Sequence, residues 1–141
     1  PLNQIFSPAH RKAYPNADTI SAIKEVEELK KNPNKKTYAS FSELLEDITM
    51  INIKNCAITE IQQDVKLAIK RGYNIQLLDD VVEMIAEQQL LPPEYKDHKL
   101  IRNYSGCRVC HITPDWLLIY EISNEELILY LTRTGTHSDL F

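Results

Sequence analysis

Apolar residues recur at helical spacing in the first third of the chain and again from residue 59 to 89, then gather into short runs bounded by turn residues from 107 onward. Leu2 to Phe6 is a brief apolar segment cut off by Pro8, which predicts extended or irregular structure. Pro15-Asn16 signals a helix entry. Ile20, Ile23, Val26 and Leu29 then form one narrow apolar stripe until Asn32-Pro33 ends it. A second short helix is predicted from Ser40, with a capping box between Ser40 and Glu43 and an apolar stripe of Phe41, Leu44, Leu45 and Ile48. Helices this short are marginal alone in water, so both require a partner surface.

Ile51 and Ile53 alternate with Asn52 and Lys54, the period of a strand. A helix over 59–71 follows, carrying Ile61, Val65, Ala68 and Ile69 and ending at Gly72. The next covers 75–89 with Leu78, Val81, Val82, Ile85 and Gln89 inward, closed by Pro92-Pro93. Three strands are predicted at 107–112, 116–122 and 126–132, joined by turns too short for anything but antiparallel neighbours. Strands two and three are apolar on both faces, so both faces of the sheet must be covered. The helical pair covers one face, and the N-terminal arm is available for part of the other. The fold class is α+β: an antiparallel sheet with two helices on one face, plus a mostly helical arm.

Composition narrows the class. With 141 residues and 43% hydrophobic content the chain can bury one good core. No run is long enough for a membrane helix, and no export signal precedes the first element, which points to the cytoplasm. Position 1 is Pro, so the chain reads as part of something longer. Residues 1–49 carry seven Lys+Arg and seven Asp+Glu, and residues 50–141 carry nine and thirteen. That acidic balance is unlike a sequence-independent nucleic-acid binder, whose affinity comes mostly from phosphate contacts.

The candidate chemistry lies between Tyr95 and Phe141, where three of the four histidines fall. Cys107-Arg-Val-Cys110-His111 matches the pattern of covalent haem attachment, but cysteines an odd number apart on a strand point to opposite faces. The same parity disfavours a local disulfide or zinc knuckle, and small strand hydrophobes is the simpler reading. His98, His111, Asp115, Arg133 and His137 come from strand ends and turns of one sheet. Such a set suits metal-independent cleavage of RNA. A base takes the 2′-hydroxyl proton, an acid protonates the departing 5′-oxygen, and a guanidinium holds the phosphoryl charge. A zinc site of His98, His111 and Asp115 is the competing reading of the same residues.

DVKLAIKRG (64–72), YKDH (95–98), HITPDWLLIYEI (111–122) and RTGTHSDLF (133–141) together resemble the YafQ-type toxins of the RelE/ParE superfamily, ribosome-dependent mRNA interferases of bacterial toxin–antitoxin systems. The resemblance spans 50–141. The stretch 15–48 resembles the C-terminal, toxin-binding part of a RelB/DinJ-type antitoxin, without the DNA-binding half, so operator DNA would be reached only through that missing half. The resemblance implies a domain division at 49/50, an antitoxin arm over 1–49, and a RelE-like toxin over 50–141. It implies His98, His111, Asp115, Arg133 and His137 as catalytic residues; the roles expected of them are Arg133 as phosphate clamp, His137 as general acid, and His98 or His111 with Asp115 as base and orienting partner. Phe141 would stack on a base, Arg133 and Lys96 would touch RNA, and no metal or cofactor takes part. The arm would contact the toxin through Ile20, Ile23, Val26, Leu29, Phe41, Leu44 and Leu45. Its partners would be mRNA on the ribosome and the cognate antitoxin, in a possible higher-order oligomer away from membranes. A gyrase-directed, non-catalytic pair from the same superfamily is the alternative. Val109 stands where the family often has an acidic residue. Trp116 and Tyr120 read as core. On an unbroken strand Arg133 shares a face with Leu127, Leu129 and Leu131, and either a bulge or the strand twist near Thr132 would re-aim it. Arg133→Ala is expected to spare the fold.

Overall fold

The computed structural model describes residues 14–54, 59–100, 104 and 106–141; the apolar segment expected at Leu2 to Phe6 lies outside them. Helix α1 runs Ala17–Lys31, capped by Asn16, whose side chain accepts from the Thr19 N–H. Its buried residues are Thr19, Ala22 and Val26; of the expected stripe only Val26 is buried, and Ile20, Ile23 and Leu29 are half-buried. Steps of three residues lag about 60° per step on a helix of 3.6 residues per turn, so the three steps from Ile20 to Leu29 carry the stripe about halfway round; 19, 22 and 26 stay on one side.

Helix α2 spans Phe41–Lys54. The strand expected at Ile51 and Ile53 is therefore absent, because the chain continues as helix straight through the anticipated division at 49/50. At its start Ser40 Oγ accepts from the Glu43 N–H at 3.3 Å, while the Glu43 carboxylate reaches Ala39 N, one residue before the expected partner. Helix α3 (Glu60–Lys70) begins with a capping box between Thr59 and Gln62 and ends before Gly72, whose φ of +80° is the left-handed cap. Val65 and Ala68 are buried, whereas Ile69 is 51% exposed, contrary to expectation. Helix α4 (Ile75–Ala86) buries Leu78, Val81, Val82 and Ile85, and stops before Gln89, which is exposed.

After a single turn of 3-10 helix at Pro93–Tyr95 come strands β1 (His98–Lys99), β2 (Arg108–Thr113), β3 (Trp116–Ser123) and β4 (Ile128–Gly135). They form an antiparallel meander in the order β1-β2-β3-β4. The two-residue β1 has no sequence signal. β4 starts later than expected because Leu127 takes a φ of +58° in the turn, 77% exposed. Helix α5 (His137–Leu140) closes the chain.

The sheet separates two apolar clusters by the period of two along β3. Trp116, Leu118 and Tyr120 face α2, α3 and α4 with Phe41, Leu44, Ile48, Val65 and Leu78. Leu117 and Ile119 face the other way with Val109, Cys107, Leu100 and Leu140, where Ile23 of α1 and Phe141 pack. Both faces of β3 are covered, as its doubly apolar sequence requires. The arm divides between them: α2 joins the helical layer, and α1 lies along β4 and α3. Cys107 and Cys110 fall on opposite faces, and burial pushes their thiols up to about 11 and about 12. No helix among the described residues is long and apolar enough to cross a membrane.

Candidate active site

The second face of the sheet carries the histidines. His98 pairs with Val109, and His111 follows two residues later on the same face, opposite Leu117. His137 is the first residue of α5, which a reciprocal capping box of Thr136 and Asp139 holds at the end of β4. The His111 and His137 rings lie 5.6 Å apart between centroids, tilted by 58°. Phe141 continues the row, 6.1 Å from His137. Strand β2 and helix α5 thus bring His111 beside two rings, His137 and Phe141, that lie 26 and 30 residues further along the chain.

His98 and Lys96 form the rim. Lys96 turns the chain with a φ of +49°, and His98 Nδ1 lies 2.6 Å from the Lys96 carbonyl. Burial pulls the His111 imidazole below its usual range, the Pro114 backbone hydrogen bond opposes this, and the positive charges of His137, Lys96 and His98 add to the downward pull. A neutral imidazole at neutral pH is the form that accepts a proton. Asp115 is exposed in the β2–β3 turn, and no hydrogen bond or ion pair among the described residues joins it to His111.

Arg133 is placed differently from the open clamp expected of it. Ile119 pairs with Arg133 but Tyr120 pairs with Leu131, so Thr132 is the extra residue of a bulge. The bulge moves Arg133 off the face of Leu129 and Leu131, which pack on the helical layer, to the face of Ile119. There the guanidinium is 6% exposed. Nε and Nη2 donate to the two Asp64 oxygens at 2.9 and 2.7 Å; Nη1 donates to Thr19 Oγ1 at 3.2 Å and to the Asp139 carbonyl at 2.9 Å. Asp64 also accepts from the Thr134 N–H, closing an otherwise open position on the edge strand. Burial pushes the Asp64 carboxyl up against the opposing pull of Arg133. The same burial works against the guanidinium, but Asp64 more than restores it.

Three acidic residues hold the site and were not singled out from sequence. Asp97 accepts from Arg108 Nε and Nη2 at 3.1 and 2.9 Å and from the Tyr120 hydroxyl at 2.5 Å, pinning the YKDH loop to the sheet. Asp139 accepts from both terminal nitrogens of Arg71 at 2.7 and 3.2 Å while capping α5; the Arg71 hydrogen bond, ahead of burial, holds its carboxyl down at about 2. Asp64 is the third. Only Asp139 had a local signal, as the fourth residue of a Thr-x-x-Asp box.

Of the arm residues expected to touch the rest of the chain, Val26, Phe41 and Leu44 are buried, and Leu45 and Ile23 pack on the two clusters. Ile20 and Leu29 are half-buried, and polar contacts do more of the joining than expected. Lys30 pairs with Glu121, Lys35 with Glu126 at 2.6 Å, and the Glu25 carboxylate accepts from the Glu60 N–H at 3.1 Å. Among the described residues no three His, Cys, Asp or Glu side chains converge as a metal set.

Residues 53–141 match the family described as the bacterial toxin of a type II toxin–antitoxin system, YafQ. The chain is 40% identical over 83 residues to the mRNA interferase toxin YafQ of Escherichia coli K12, covering 58% of this chain and 88% of that protein. A shorter similarity, 42% over 50 residues, links it to a putative YafQ toxin of Haemophilus influenzae and covers 34% of this chain and 49% of that protein. The crystal structure of a metal-bound toxin from Helicobacter pylori is 43% identical with a TM-score of 0.56, covering 58% of this chain and 91% of that one. The E. coli DinJ-YafQ complex is 40% identical with a TM-score of 0.54, covering 58% and 90%. The family match covers the sheet and the histidine row, and the chain belongs to the YafQ family of toxins of type II toxin–antitoxin systems.

Proposed function

We propose that this protein is an mRNA interferase whose site cuts RNA by attack of the 2′-hydroxyl on the adjacent phosphorus, on the translating ribosome in the cytoplasm, without a metal ion. The observation that carries the reading is the His111–His137 pair, 5.6 Å apart beside Phe141. Two imidazoles at that spacing can address the attacking and departing oxygens of one phosphodiester. His111, favoured in its neutral form, takes the 2′-hydroxyl proton; His137 protonates the departing 5′-oxygen. Phe141 offers a face on which a neighbouring base stacks. Lys96 on the rim brings positive charge to the RNA backbone beside His98, Asp115 in the neighbouring turn would reach an imidazole only once RNA is bound, and Arg133 stabilises charge on the phosphoryl oxygens.

Residues 1–49 act in this reading as an antitoxin-derived arm that keeps the nuclease silent. Its support is the contact of Thr19 with Arg133 and the location of the arm outside the family match at 53–141. DNA would be bound only with a DNA-binding half beyond this stretch. The test is cleavage of mRNA on translating ribosomes in EDTA, before and after removal of residues 1–49. Cleavage that appears on removal and disappears in His111→Ala and His137→Ala supports the reading. Cleavage that persists in both histidine variants defeats it.

A further inference from the structure

The guanidinium of Arg133 is divided between two kinds of partner. Its Nε and Nη2 edge is committed to Asp64, a carboxylate from the toxin's own α3. The remaining nitrogen, Nη1, points at Asp139's carbonyl and at a hydroxyl that belongs to the arm. Thr19 is fully buried, and its own proton goes to the Leu140 carbonyl at 2.8 Å, so the lone pair of Oγ1 is what faces the arginine. Asn16 fixes this geometry: its backbone N–H donates to the Leu140 carbonyl at 3.0 Å, its side-chain nitrogen to the Asp139 carbonyl at 2.8 Å, and its side-chain oxygen caps the helix at the Thr19 N–H. The first turn of α1 therefore sits on the last carbonyls of α5, with one oxygen aimed at the catalytic cation. His111 and His137 stay half-exposed with the arm in place.

We infer that Asp64 is a positioning residue that presents the Nη1 edge of Arg133 to the RNA phosphate, and that the Thr19 hydroxyl occupies the place of a phosphoryl oxygen on that edge. The inference rests on the nuclease reading above and adds its regulation: the arm competes with the scissile phosphate for one oriented guanidinium and leaves the imidazoles open. A neutral hydroxyl at 3.2 Å is a weaker acceptor than a charged phosphoryl oxygen, so the contact holds Arg133 without being irreplaceable. Removing one hydrogen bond to a charged group shifts the ratio of closed to open arm by about tenfold or more.

The test uses the full chain and a short RNA whose reacting nucleotide carries 2′-deoxyribose, so that binding is read without cleavage. Thr19→Val keeps the shape and loses the acceptor, and Thr19→Ser keeps the acceptor. Thr19→Val is expected to bind this RNA at least about tenfold more tightly than the parent, with Thr19→Ser near the parent. Its binding should also depend more steeply on salt, by about one unit of slope, because one more phosphate contact is made. A merely loosened fold would not change that slope. Adding Asp64→Asn to Thr19→Val should remove the gain and the extra slope, and Asp64→Glu should restore part of both; circular dichroism checks that each variant is folded. Equal binding by Thr19→Val and Thr19→Ser overturns the inference, as does an undiminished gain in the Thr19→Val, Asp64→Asn double variant. If Thr19→Val gains affinity and slope but cuts no message on ribosomes, the competition stands and the nuclease reading falls. If removal of the arm releases cleavage while Thr19→Val gains nothing, the nuclease stands and this inference falls.

Discussion

Asp64 on α3 and Arg133 on β4 meet through two parallel hydrogen bonds of 2.9 and 2.7 Å, each side chain 7% exposed. Fixing the pair takes a helix, a bulge and an edge strand together. Removing one member leaves the other charge buried without its partner, which costs about 3–5 kcal/mol. Arg133→Ala and Asp64→Ala are thus expected to lower the urea midpoint sharply, where the sequence suggested that Arg133→Ala would spare the fold. A wild-type midpoint in Arg133→Ala would falsify this account. Arg133→Lys should keep part of the stability and lose the second parallel bond.

His111 and His137 stand at the surface of the second cluster, half-buried, and make little of the core. His111→Ala and His137→Ala should change stability by less than about 1 kcal/mol in thermal unfolding. Cleavage by the released toxin should fall about 10²- to 10⁴-fold in either variant, the usual worth of a positioned acid or base. A loss of folding as large as the loss of activity would make these residues structural.

The pH dependence follows from His111. Its folded pKa lies below 6.5, so the neutral base persists as the pH falls past the usual histidine range. The acid limb of kcat/KM for the released toxin should accordingly lie below pH 6.5, and it should move toward higher pH in Lys96→Ala, which removes one of the charges pressing on the ring. The linked stability has the same sense: the folded state favours the neutral ring, so His111 contributes fully above 6.5 and its contribution is lost as pH falls. A limb above 6.5 would assign the base elsewhere.

Asp139 gives a second acid-side signature. Its carboxyl is held at about 2 against an ordinary 3.8, first by the Arg71 hydrogen bond. The folded pKa is depressed, so the stabilisation is complete above 3.8 and disappears as the pH falls toward 2. Arg71→Gln should flatten the stability profile over that window, measured by urea unfolding at several pH values. Gly135→Ala should strike the same cap directly, since a Cβ there would lie 2.8 Å from Asp139 Oδ2. A loss of about 1–3 kcal/mol is expected, with the His137 turn displaced.

Asp97→Asn tests the anchor of the rim. It weakens the contacts to Arg108 and the Tyr120 hydroxyl, and about 1–3 kcal/mol of stability should go with them. Activity should fall further than in Tyr120→Phe, because the Lys96 to His98 loop loses its registration with His111. Equal effects in the two variants would mean that Asp97 serves only the core.

Local chemistry determined much of this protein. The periods of α3, α4 and the three main strands, the cap at Gly72, the opposite faces of Cys107 and Cys110, and the core placement of Trp116 and Tyr120 are all set by neighbours within a few residues, and the sequence shows them. The bulge at Thr132 also had a cue, in the conflict between a strand that alternates strictly and an arginine that cannot pack with leucines. The strand expected at Ile51 and Ile53 failed because two alternating residues cannot outweigh a helix already propagating from Phe41. The α1 stripe is only partly a face, because each spacing of three falls about 60° short of a full helical turn and keeps Val26 alone of the four fully inward. What only the tertiary structure decided is which charges meet. Asp64 and Arg133 are 69 residues apart, Thr19 and Arg133 114. Ion pairs and buried hydroxyls of that range have no period and no local propensity. Their partners are chosen by the packing of α1 and α3 against β4, where leaving the guanidinium unmatched would be costly.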